Sequence, residues 1–182
     1  SRRQRQMCIR DRSITVWSSG DNNQETAYAL TTGTYYLGGD LDFTACTTKY
    51  AIMIVGDVTL CLNGHEIKNS TSGNECVIGV YSETESTLTL TDCKGGGEIK
   101  GGNNEGVDVR KGYTFNMYGG TITGSSKGVD MNGNTQNNQT KFNMYGGAIS
   151  NNTGTGVTLT ESCTFTMSGG TISNNKGGVS TG

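Results

Sequence analysis

Proline is absent from this 182-residue chain, histidine and tryptophan occur once each, and only 16% of residues are charged. No apolar run reaches the roughly 18 residues that a membrane-spanning helix needs. His65 alone offers too few ligands for a histidine-based metal centre. In "LNGHEI", beside Glu66, it reads as a turn residue rather than half of an acid–base pair. The six cysteines, at 8, 46, 61, 76, 93 and 163, contain no CxxC pair, which argues against structural zinc. A phosphate-binding loop is missing too, because no GxGxxG and no following helix accompany the glycine pairs. Basic residues form no stripe. Five of the fourteen lie in the opening "SRRQRQMCIRDR", so residues 13–182 carry nine basic against fifteen acidic residues, a net of −6. An acidic body argues against nucleic-acid binding through phosphate contacts.

What the chain does have is glycine, 29 residues of it, with abundant Thr and Asn and a hydrophobic share of only 32%. That polarity would suit disorder if it were unpatterned, but the sequence repeats itself. "TFNMYGGTIT" at 114–123 returns as "KFNMYGGAIS" at 141–150 and "TFTMSGGTIS" at 164–173. Anchored on Leu60, Leu88, Phe115, Phe142 and Phe165, the spacings are 28, 27, 27 and 23 residues, inside the solenoid window.

Each repeat holds three short strands. The first alternates: Leu60/Leu62, Leu88/Leu90, Phe115/Met117, Phe142/Met144 and Phe165/Met167 face inward, a period of two. The second centres on Ile67, Ile99, Ile122, Ile149 and Ile172. The third carries Val107/Val109, Val129/Met131, Val157/Leu159 and Val179, with Val77 or Ile78 in the first repeat. Three strands in about 23–28 residues predict an all-β parallel β-helix, whose coils stack at about 4.8 Å. A single coil buries too few apolar side chains to offset its ordering entropy, so neighbours must stack. The Gly-Gly pairs turn corners between strands, and the "SNN" turns suit left-handed or Asx geometry. Residues 1–12 join no repeat and read as a disordered extension or translated sequencing-adapter sequence. Residues 13–57 form a divergent N-terminal turn, and 58–182 form the coils, which read as truncated at the C-terminus.

The phrases "TFTMSGGTISNN", "GVDVRKGYTFNMYGGTITG", "VTLCLNGHEIKN" and "LTLTDCKGGGEIKG" resemble the right-handed parallel β-helix repeats of large secreted or surface-attached proteins of gut Firmicutes, in the pectate-lyase-like superfamily. The resemblance covers residues 33–182. It implies right-handedness, secretion or cell-wall attachment, and glycans or host surface proteins as partners. It supplies no catalytic residue to carry over.

Candidate chemistry is sparse. Asp108 and Asp130 hold the same outward position of the third strand in adjacent coils, with Arg110 and Lys111 near by. They can bind calcium or form an acid pair, but a solvated edge is the preferred reading. No catalytic residue, metal or cofactor is expected. Tyr118 and Tyr145 follow Phe-x-Met in adjacent coils and are the candidate glycan-binding residues, although pairing across strands for stability is the preferred reading. In an exported chain, Cys61 and Cys93 are the first candidates for a disulfide. The expected function is therefore non-catalytic, a structural or adhesive segment. The alternative is a carbohydrate-active β-helix, a polysaccharide lyase or glycoside hydrolase whose groove lies partly outside these residues. Three or more carboxylates or basic groups meeting in one groove near Asp108 and Asp130 would favour the enzyme, and a smooth Thr/Asn surface would count against it.

Overall fold

The computed structural model describes residues 5–7, 13–17, 24–45, 48–70, 76–81, 85–133 and 139–182. Cys8, Cys46 and the middle of the 132–140 loop lie outside these residues. The chain begins with β1 (Arg5–Met7), β2 (Ser13–Trp17), β3 (Gln24–Leu37), β4 (Leu41–Asp42) and β5 (Tyr50–Cys61). Two coils follow in β6 (Glu66–Lys68), β7 (Cys76–Val80), β8 (Thr87–Thr91), β9 (Glu98–Lys100), β10 (Glu105–Arg110) and β11 (Thr114–Met117). The rest is β12 (Thr121–Thr123), β13 (Lys127–Asn132), β14 (Thr140–Met144), β15 (Ala148–Ser150), β16 (Thr155–Leu159), β17 (Cys163–Met167), β18 (Thr171–Ser173) and β19 (Gly177–Thr181).

These strands wind a right-handed parallel β-helix of three strands per coil. The second strands form one sheet in the order β18-β15-β12-β9-β6-β4. First and third strands belong to a single 13-stranded sheet, because β5 serves both roles without a break. Its Tyr50–Ile54 half pairs with β7, and its Asp57–Cys61 half pairs with β8. The boundary expected between residues 57 and 58 thus falls inside a continuous strand. At the N-terminal end, β1 pairs parallel and β2 antiparallel with β3.

Apolar side chains stack in register up the interior. The Ile67–Ile99–Ile122–Ile149–Ile172 column forms as the sequence predicts. Ile78 joins Val107, Val129, Val157 and Val179. Phe142 lies between Phe115 and Phe165, with ring centroids 4.7 and 4.9 Å away. The first coil is two residues out of the expected phase: Val58, not Leu60, pairs with Leu88.

Corners are held by backbone and amide contacts. Gly147 has φ +83, and a β-carbon there would sit 2.6 Å from the Gly120 carbonyl oxygen. Only glycine suits both constraints. In the "SNN" turns, Asn151 and Asn174 take left-handed φ of 56 and 54. Asn152 donates from Nδ2 to Asn175 Oδ1 at 2.9 Å, so stacked copies bond to each other.

Candidate functional site

The outer face of the third strands departs from the Thr/Asn surface that a passive solenoid would carry. Aligning these strands by their pairing puts Tyr50, Cys76, Glu105 and Lys127 in one row and Met53, Gly79, Asp108 and Asp130 in another. A third contains Arg110 and Asn132. The rows are close because parallel strands in a sheet lie about 4.8 Å apart.

Gly79 opens the path between them. With no side chain there, the Tyr50 ring lies across β7 and its hydroxyl donates to Asp108 Oδ2 at 2.8 Å. Arg110 Nε donates to the same oxygen at 2.7 Å, and Asn132 Nδ2 lies 3.4 Å from Oδ1. Asp130 accepts from Lys127 Nζ and Asn132 Nδ2, both at 2.9 Å. Lys127 also stands 3.6 Å from Glu105. Cys76 Sγ donates to Glu105 Oε2 at 2.6 Å.

All three carboxylates are buried: Asp108 is 0% exposed, Asp130 4% and Glu105 6%. The sequence reading of Asp108 and Asp130 as a solvated edge is therefore corrected. The sequence places them outward, but Tyr50 folds over the face and long basic side chains border it. Burial penalises a charge, and here it holds Glu105 above the usual carboxylate range. Cys76 donates to Glu105 and so opposes that rise, whereas the charges of Asp108 and Asp130 add to it. The Cys76 thiol and the Tyr50 phenol are pushed up by burial and by the Glu105 and Asp108 charges respectively. Burial works against the charges of Arg110 and Lys127, yet Asp108 and Asp130 beside them more than offset it and hold both above their usual values.

Sγ of Cys76 and one carboxylate oxygen each of Glu105 and Asp108 all lie within 4.8 Å of one another. A thiolate with two carboxylates is a donor set that suits a borderline divalent ion of the zinc class better than calcium, which takes oxygen ligands. The charges fit as well. Three carboxylates here share two cations, which leaves the cluster one negative charge in excess. A divalent ion that also displaces the thiol proton would bring the cluster to neutrality.

This cluster overturns the expectation of a purely non-catalytic segment. Buried thiol, carboxylates and basic groups converge around Asp108 and Asp130, the arrangement that favours the enzyme alternative. Of the residues predicted from sequence, Asp108 belongs to the cluster's ligand set, while Asp130 holds Lys127 and Asn132 beside it. Sequence reasoning missed Tyr50, Cys76, Glu105 and Lys127. The signal was there in "CVIGV", "EGVDV" and "KGVDM", which align residue for residue.

The other sequence candidates lie elsewhere. Tyr118 and Tyr145 stack on the outer face of the first strands, centroids 4.6 Å apart and 18° between planes. His65 lies in an exposed corner, with Nδ1 3.2 Å from Asp40. Cys61 and Cys93 form the expected disulfide. Lys111, grouped with Arg110 in the sequence, turns instead to the Tyr81 hydroxyl at 3.0 Å. No helix among the described residues is long and apolar enough to cross a membrane. No protein family, curated protein or solved structure matches the chain.

Proposed function

We propose that this β-helix is carbohydrate-active, cleaving a glycan at the outer face of its third strands with a divalent metal ion held by Cys76, Glu105 and Asp108. The observation that carries the reading is the convergence of those three ligand atoms within 4.8 Å. When bound, such an ion supplies a Lewis acid that polarises an oxygen or activates water. The chain's own residues do the positioning. Tyr50 and Arg110 fix the Asp108 carboxylate. Arg110 and Lys127, half-buried at the border of the cluster, hold the Asp108 and Asp130 carboxylates in place.

The repeat phrase's resemblance to pectate-lyase-like surface proteins of gut Firmicutes supports a glycan substrate. The Cys61–Cys93 disulfide supports a location outside the reducing cytoplasm, secreted or wall-attached. The test is an assay of the purified chain on neutral and acidic polysaccharides, with products separated by chromatography. Chelation should abolish product formation, and added zinc should restore it. Cys76→Ser and Glu105→Gln should each cut turnover and zinc affinity at least about tenfold while circular dichroism stays unchanged. A wild-type chain that binds no zinc and releases no product from any polysaccharide overturns the proposal.

A further inference from the structure

The stacked tyrosines do not present two flat faces side by side. Met117, Met144 and Met167 pair in register, so the next residues, Tyr118, Tyr145 and Ser168, form successive rungs of one outward column. With centroids 4.6 Å apart, each ring covers one face of the other. Two outer ring faces remain, at opposite ends of the pair. Beyond Tyr118 the column continues in Thr91 and then Cys61, which is tied by its disulfide to Cys93. Beyond Tyr145 it continues in Ser168, whose short side chain leaves the space a third ring would fill. Tyr118 and Tyr145 are 53% and 45% exposed.

A second column runs alongside on the same face, made by Asn116, Asn143 and Thr166. Asn143 Nδ2 donates to Asn116 Oδ1 at 2.9 Å. Among the described residues, Asn143 Oδ1 and the Thr166 hydroxyl have no hydrogen-bond partner. The slot over Ser168 thus has an aromatic floor on one side and an amide oxygen and a hydroxyl beside it. A pyranose has the complementary chemistry, with an apolar C–H face and hydroxyls around its edge.

We infer that the face of Tyr145 turned toward Ser168 is a binding subsite for one sugar ring of a glycan, stacked as a third rung above Tyr118 and Tyr145. The inference rests on the carbohydrate reading for the class of its ligand. It adds where that ligand is gripped: on the same 13-stranded sheet as the buried cluster.

Isothermal titration of the whole chain with cellohexaose, xylohexaose, mannohexaose and hexagalacturonate tests it, without requiring turnover. At least one of the four should bind saturably. Tyr145→Ala removes the floor and should weaken that binding at least about tenfold, a difference well resolved in Kd. Ser168→Tyr fills the slot and should weaken it as much, with a melting temperature no lower than wild type, because the added ring extends the stack. The inference is overturned when none of the four binds, or when Tyr145→Ala and Ser168→Tyr bind as tightly as wild type. Binding that follows this pattern in a chain that cleaves nothing would refute the catalytic reading alone. Cleavage with unchanged affinity in both variants would refute the subsite alone.

Discussion

At Gly79 a β-carbon would sit 2.6 Å from Cδ1 of Tyr50 and 2.7 Å from Sδ of Met53. Alanine would strain no backbone there, so the effect of Gly79→Ala is one of packing: the Tyr50 ring must leave its path to Asp108. We expect a loss of about 1–3 kcal/mol, typical of an inserted methyl group in a filled site, measured by denaturant unfolding. The near-ultraviolet circular dichroism of Tyr50 should weaken in parallel. An unchanged spectrum would show that the ring does not need the glycine. In the sequence Gly79 is one of 29 glycines, and nothing local marks it as different from a corner. Its role comes from Tyr50, 29 residues earlier, whose ring crosses β7 at Gly79 to reach Asp108.

Between elements, the Cys61–Cys93 disulfide ties the end of β5 to the corner that follows β8, with a sequence separation of 32. It restricts the unfolded chain more than it adds contacts. Cys93→Ser should therefore cost about 2–4 kcal/mol, and reductant should bring the wild type to the same unfolding midpoint. A midpoint insensitive to both changes would show that the bridge contributes nothing. Strand identity was largely legible at this scale, because alternation and the Ile and Val columns each have one good solution. The phase of the first coil was not. "VTLCL" offers inward candidates at 58, 60 and 62, and a period of two cannot choose among positions two apart. Pairing decides it: Val58 and Leu60 lie beside Leu88 and Leu90. Leu62 is left to fill the space beneath the Gly120 corner, where its Cδ1 would be 2.6 Å from a β-carbon.

Across the whole molecule the interior is one continuous column rather than a set of separate cores. Phe142 contacts a phenylalanine in the coil below and another in the coil above. Phe142→Ala should cost about 3–5 kcal/mol and should lower the stability of neighbouring coils along with its own, because no coil is stable alone. Calorimetry should record one transition at a lower temperature. Two separated transitions, with only the central coils destabilised, would contradict this coupling. The same stacking explains the functional surface. Outward residues one coil apart are brought to strand spacing, so side chains distant in sequence meet as ladders of like residues or, on the third strands, as a cluster of unlike ones.

The sequence by itself determined the parallel β-helix, its inward columns, the glycine corners and the Tyr118–Tyr145 ladder, because each is a local period repeated at the coil length. Only the tertiary structure decided that Asp108 and Asp130 are buried, and that Cys76, Glu105 and Tyr50 converge with them. Alternation tells which way a side chain leaves the strand but not what folds over it. That depends on a tyrosine reaching across a missing side chain and on charges balancing in low dielectric, and these are pairings between coils that no single repeat contains.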